Sequence, residues 1–289
     1  MDQYEEVIYE VEEHVATITM NRPRALNAIG GSLARELPHA LVRADEDNEV
    51  RVVVLTGAGR SFCSGADLKG TVGPRLAKGW TADKGASTAA QYMASRTLPE
   101  DMARNQWLLA YPFSNLTTIL KRYRTPLIAA VNGFCYGGGL LLALAADIRF
   151  AADSATFCSI FSKRGVTFEA STSYYLPKIV GREWALRMQY TGEPVDAETA
   201  YRIGLCSEVV AADLLAKRVK EFATEIATKR PAYALALSKL QVDKGVSVDD
   251  PEVMGMLEAY SLAQIQRGHD YYEGEQAFVD KREPQFEGY

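Results

Sequence analysis

Three short apolar runs constrain this chain more than any other feature. Val50–Thr56, Leu127–Val131 and Ile148–Ala151 are almost unbroken by polar residues, and the first ends in Gly57. Runs of this length, rich in Val and Ile, read as strands. Lacking in–out alternation, they read as strands covered on both faces, which is the condition of a parallel sheet flanked by helices. Between the second and third runs stand Gly137-Gly138-Gly139 and the apolar, helix-forming Leu140–Ala146. The order strand, glycine turn, buried helix, strand predicts an α/β fold with crossover connections.

The flanks fit this frame. Val7–Val11 and the alternating Val15–Met20, joined by Glu12-Glu13-His14, predict a hairpin that ends at Asn21-Arg22-Pro23. A helix follows over about Gly31–Asp45, capped by Ser32, with Leu33, Leu37, Ala40 and Leu41 on one face. The chain turns helical after Gly181. Asp196 caps a short helix ending at Gly204, Cys206–Val210 forms a short strand, and Asp213 caps a helix with Leu215, Val219, Phe222 and Ile226 on one face. Pro231 and Pro251 open two more helices. An α/β core is therefore expected over 1–195 and a helical region over 196–289. Residues 70–115, rich in small residues and aromatics, are expected to form a helical segment over a site.

Charge and composition exclude several functions. With 32 Lys and Arg against 37 Asp and Glu, the net charge is −5. Nucleic-acid binders carry a basic excess or face, and the one dense basic run, Lys121–Arg124, is short. No stretch approaches 18 apolar residues, so no membrane span is expected. The acidic start resembles neither a signal peptide nor a presequence, which points to a cytoplasmic location. Four cysteines without a CxxC pair and three scattered histidines predict buried thiols and no metal site. Such a chain has backbone amides and carboxylates for its chemistry.

Two glycine-bearing turns follow strands: Gly57–Leu68, which contains Ser64-Gly65-Ala66-Asp67, and Val131–Gly139. Glycine lets the backbone approach a ligand closely, and amides at such turns can hold an oxyanion. With their flanks the turns are specific. Asn21-Arg22-Pro23 with Ala25-Leu26-Asn27-Ala28, Val53–Gly57, Phe62–Leu68, Pro126–Gly133, Gly137–Gly139, Ala145-Ala146-Asp147, Leu176-Pro177 with Val180-Gly181, and Ala277–Arg282 stand in the order of the crotonase (enoyl-CoA hydratase/isomerase) superfamily, which this chain resembles over nearly its whole length.

The resemblance implies a spiral of ββα units, a helical C-terminal region that makes trimers or hexamers and closes the ligand site, and an acyl-CoA partner. The thioester is then part of the substrate, and no separate cofactor is expected. The amides of Ala66 and Gly138 would hold the thioester oxygen. Arg24, Ala25, Leu26, Ser64, Asp67 and Leu68 would lie along the coenzyme, with Phe278 and Lys281 reaching its adenine end. From the residues alone, Asp67 also reads as a turn or cap residue and Asp147 as a buried structural carboxylate. Tyr136 is a candidate for the acyl pocket.

Hydratases of this superfamily use two glutamates, and the matching positions here are Leu141 and Phe161. Neither side chain can bind water or move a proton. A carboxylate stands instead at Glu169, in Val166–Pro177, which is similar to the acid/base loop of Δ3,Δ2-enoyl-CoA isomerases. One carboxylate suffices for a 1,3-proton shift. An apolar lining of Leu141, Phe161 and Phe168 would keep water from the enolate. The expected activity is therefore enoyl-CoA isomerisation, with a hydratase, a specialised lyase, hydrolase or cyclase, and a non-catalytic acyl-CoA binder as alternatives.

Overall fold

Strands alternate between two sheets. In the computed structural model, which describes residues 4–71, 116, 119, 120, 122–169 and 171–288, β1 (Val7–Glu12) and β2 (Val15–Met20) form the expected antiparallel hairpin. β2 then pairs in parallel with β3 (Val52–Gly57), β3 with β5 (Leu127–Val131), β5 with β7 (Ile148–Ala152), and β7 with β10 (Glu208–Val210). The second sheet contains β4 (Ser61–Cys63), β6 (Phe134–Tyr136), β8 (Thr156–Cys158) and the antiparallel β9 (Val195–Asp196). Each apolar strand of the large sheet is thus followed, after a turn of two or three residues, by a short strand of the small one. The pairs β3–β4, β5–β6 and β7–β8 are successive turns of a ββα spiral.

Burial follows the sequence pattern. Val52, Val53, Leu55, Leu127, Ala129 and Val131 are fully buried. The helix Leu215–Lys229 packs across β2, β3, β5 and β7, α1 (Leu33–Glu46) packs on β1 and β2, and helices follow the small-sheet strands: α2 (Leu68–Thr71), α3 (Gly138–Ala145), which packs on β5, and α4 (Thr172–Thr191), which packs on α3. Then come α5 (Ala197–Arg202), α6 (Leu215–Lys229), α7 (Ala232–Gly245), α8 (Pro251–Ile265) and α9 (His269–Asp280). No described helix is long and apolar enough to cross a membrane. The reading of 70–115 as a helical cover lies outside the described residues, apart from Gly70 and Thr71.

Several local expectations are corrected. Ser32 occupies the N-cap of α1, but its hydroxyl donates to Glu5 at 2.7 Å, and the Glu6 carboxylate accepts from the Leu33 amide in its place. Asp213 does not cap α6. The turn closed by the Leu214 amide on Ala211 ends one residue later, which leaves Asp213 outside the capping position. Helix begins at Thr172, before Gly181, and Gly181 (φ 76°, ψ 163°) kinks α4 internally. Asp147 is exposed, yet its role is structural: it accepts from the Leu127 amide at 2.7 Å and pairs with Lys239 at 2.9 Å. Asp196 caps α5 as expected, accepting from the Thr199 amide at 2.7 Å. All four cysteines are buried and unpaired, and burial pushes the Cys63 thiol up to about 12.

Candidate active site

The two glycine turns meet at one cleft. Its described lining is Ser64, Gly65 and Ala66 from the first turn, Gly137 and Gly138 from the second, and Ile160, Phe161, Arg164 and Glu169 from the segment after β8.

Backbone geometry frees the two expected amides. Ile29 bridges Ala66 in parallel: its N–H donates to the Gly65 carbonyl at 2.7 Å, and its own carbonyl accepts from the Asp67 amide at 3.0 Å. In such a ladder the flanking groups face the partner and the middle residue's N–H faces away. The Ala66 amide accordingly has no hydrogen-bond partner among the described residues. Gly138 is the first residue of α3, so helix geometry leaves its N–H without an internal acceptor. The helix dipole adds positive character at the same point.

Close packing sets the spacing of the turns. Gly65 has φ +97°, and a Cβ there would lie 2.9 Å from the Tyr136 carbonyl oxygen and 3.2 Å from the Gly138 nitrogen. A Cβ on Gly139 would collide with the Cys63 carbonyl. Only glycine allows α3 to start directly against β4.

A polar network fixes the first turn from behind. Asn27 is fully buried; its side-chain oxygen accepts from the Arg22 amide at 2.9 Å, and its nitrogen donates to the carbonyls of Ala58 (2.9 Å) and Ser61 (2.6 Å). Arg22 bonds Glu6 at 2.7 Å, the Ala28 carbonyl at 2.7 Å and Asp67 at 3.1 Å. The Gly70 amide and Arg22 hold the Asp67 carboxyl below the usual range. Sequence reasoning missed Asn27 and Arg22 as organisers, although both stand in motifs it singled out. Their partners lie up to 45 residues away, which no local pattern reveals.

The remaining expected residues fall in three places. The 3-10 turn Pro23–Ala25 holds exposed Arg24 and half-buried Ala25, and Leu26 follows with φ 52°. The Leu26 carbonyl accepts from the Ser64 amide at 3.0 Å, so this turn lies against the Ser64–Ala66 wall. Leu68 opens α2 beside Asp67. Phe278 and Lys281, at the end of α9, are exposed and outside the described cleft lining. Tyr136 is half-buried, with its hydroxyl 3.1 Å from Thr156 and its ring edge-on to Phe134, and it is not in the described lining either.

The opposite side of the cleft is lined by Ile160, Phe161, Arg164 and Glu169. Of the three residues expected as apolar lining, Phe161 (5% exposed) borders the cleft, whereas fully buried Leu141 and half-buried Phe168, which is edge-on to Phe161 at 6.4 Å, are outside the described lining. Glu169 is half-buried, and its carboxylate has no partner among the described residues. Its backbone carbonyl accepts from the Thr172 amide at 3.0 Å, which places it one turn before α4. The segment is braced by Gln189 of α4, which accepts from the buried Ser159 hydroxyl at 2.6 Å and donates to the Val166 carbonyl at 3.4 Å. Ile160 and Arg164 were not anticipated. Among the described residues, no group of histidine, cysteine or carboxylate side chains could hold a metal ion.

Two turn amides that line one cleft at adjacent turns of a ββα spiral are the arrangement expected of a crotonase-type protein. Comparison with known proteins agrees. The family profile "Enoyl-CoA hydratase/isomerase" matches residues 10–100 and 93–289. The chain is 34% identical to a probable enoyl-CoA hydratase of Rhodobacter capsulatus, over 99% of each chain. It is 33% identical to a 1,2-epoxyphenylacetyl-CoA isomerase of Escherichia coli, over 98% of each. The crystal structure of an enoyl-CoA hydratase from Bacillus anthracis superimposes with a TM-score of 0.81 at 30% identity, covering 99% of this chain and 100% of that one. The chain belongs to the enoyl-CoA hydratase/isomerase family and is an acyl-CoA-processing enzyme of that family.

Proposed function

We propose that this enzyme is an enoyl-CoA isomerase that moves a double bond by a one-base 1,3-proton transfer. The observation that carries the reading is the make-up of the cleft: Glu169 is its one described carboxylate, while the two positions where hydratases of the superfamily place glutamates hold Leu141 and Phe161. In this reading the amides of Ala66 and Gly138 donate to the thioester oxygen. The Glu169 carboxylate takes a proton from C2 of a 3-enoyl thioester, the charge moves onto the held oxygen, and the same carboxyl returns the proton to C4. Two preoriented donors stabilise such an enolate by roughly 3 kcal/mol each. The apolar side chains of Ile160 and Phe161 favour this route because they bind no water to add.

The coenzyme would lie along Arg24–Leu26, Ser64, Asp67 and Leu68, with Phe278 and Lys281 at its far end. Assembly through 196–289 fits the exposed apolar side chains there, among them Met256 (61%), Tyr260 (65%) and Val279 (70%). A homotrimer or hexamer would cover them. A cytoplasmic location fits the same reading.

Hydration is the second reading, favoured by the hydratase names of several relatives. Incubating the enzyme with 3-hexenoyl-CoA and, separately, with 2-hexenoyl-CoA in oxygen-labelled water separates the two. The expected outcome is unlabelled 2-hexenoyl-CoA from the first substrate, and no conversion of the first together with labelled 3-hydroxyhexanoyl-CoA from the second would overturn the proposal.

A further inference from the structure

We propose that Arg164 selects acyl-CoA substrates whose acyl group carries a second carboxylate. The inference rests on the isomerase reading for the direction in which the acyl chain lies. Arg164 ends the 3-10 turn Ser162–Arg164 and lines the cleft beside Glu169, Phe161 and Ile160. Most arginines of this chain's described scaffold are engaged: Arg22 bonds Glu6 and Asp67, Arg149 bonds three backbone carbonyls, and Arg218 and Arg282 make two-pronged pairs with Glu208 and Glu273. Arg164 is exposed, its side chain has no hydrogen-bond, ion-pair or aromatic partner among the described residues, and its neighbours in the cleft lining are the apolar Ile160 and Phe161 and the carboxylate of Glu169.

Position separates an acyl role from a coenzyme role. Arg164 stands on the wall that carries the base, five residues before Glu169, and the turn Arg24–Leu26 expected along the coenzyme is bonded to the opposite wall through Ser64. A base that serves C2 and C4 lies over the acyl carbons, so a cation on the same wall faces the acyl chain. An acyl group with its own carboxylate would be repelled by ionised Glu169. A guanidinium beside the base offsets that repulsion and offers two parallel N–H donors to a carboxylate. For an acyl group ending in a methyl the same cation offers no such contact, so the preference is a difference in affinity between the two kinds of acyl group.

The test uses saturated thioesters, which bind but cannot isomerise, so it is independent of turnover. Dissociation constants are measured by calorimetry on the full chain for glutaryl-, adipoyl- and suberoyl-CoA, each against its monocarboxylic counterpart of equal length. At least one pair is expected to favour the dicarboxylic ligand about tenfold or more, as for a charge-assisted hydrogen bond. Arg164→Gln is expected to bring that ratio close to one, Arg164→Lys to keep part of it, and Lys163→Gln, changing a neighbouring cation outside the described lining, to keep it whole. Equal affinity within every pair overturns the proposal. So does an equal loss for both members of a pair in Arg164→Gln, which would place the contact on the coenzyme phosphates. If the isomerase reading alone fails, turnover is absent while the binding ratio persists.

Discussion

The two walls of the cleft are built by opposite means. The wall of Ser64–Ala66 and Gly137-Gly138 is backbone, pressed between buried strands and α3, and every buried polar atom of Asn27 behind it is satisfied. The wall of 159–169 has no strand. It is a 3-10 turn and a stretch without regular structure, tied to α4 where Gln189 accepts from the Ser159 hydroxyl and donates to the Val166 carbonyl. In the proposed reaction, stabilising the enolate oxygen would be a property of the scaffold, and the choice of what happens to the carbon chain would be left to side chains on the 159–169 segment. That division explains how relatives named hydratases and isomerases can share one fold.

Replacing Gly139 strains the scaffold wall most. Gly139→Ala drives a Cβ into the Cys63 carbonyl and forces α3 away from β4. A loss of about 3 kcal/mol is expected, with acyl-CoA binding lost as well, read from denaturant midpoints and calorimetry. Asn27→Ala leaves the carbonyls of Ala58 and Ser61 short of a donor and should destabilise by about 2 kcal/mol. If either variant matched the parent in stability, the claim that this wall is rigid would fail.

The braced wall should respond differently. Gln189→Leu removes the acceptor of the buried Ser159 hydroxyl and the donor to Val166. It is expected to lower kcat about tenfold while thioester affinity stays within about threefold, because the amides of the other wall are untouched. Parallel losses in both would erase the distinction. The smallest effect concerns Asp67. Its folded-state pKa is lowered, so its contribution to stability is present above the unfolded value of about 3.9 and is lost as pH falls through the folded value. Melting curves from pH 6 to pH 3 should show a shallower acid decline for Asp67→Asn than for the parent.

Different parts of the molecule were legible to different depths. The strands of the large sheet and both amide turns follow from apolar runs and glycines, because buried parallel strands and close backbone approaches leave so few residue types possible. Leu141 and Phe161 were legible as missing carboxylates through the family order alone. The cap of α1 was misassigned because the acceptor is Glu6, brought there by the hairpin and not by local sequence. Asn27, Arg22 and Gln189 act through partners distant in the chain, and a hydrogen-bond network of that kind has no period to detect. Helices α7 and α8 followed from proline and helical pattern, but nothing in that pattern told that Ser261 is their one buried residue.

The central claim is that Glu169 moves the proton. Glu169→Gln keeps the size and hydrogen-bonding capacity of the side chain and removes its basicity. With 3-hexenoyl-CoA at saturation, and the dissociation constant of hexanoyl-CoA measured on the same sample, kcat is expected to fall at least ~100-fold while affinity stays within about threefold. Unchanged kcat at unchanged affinity would contradict the account.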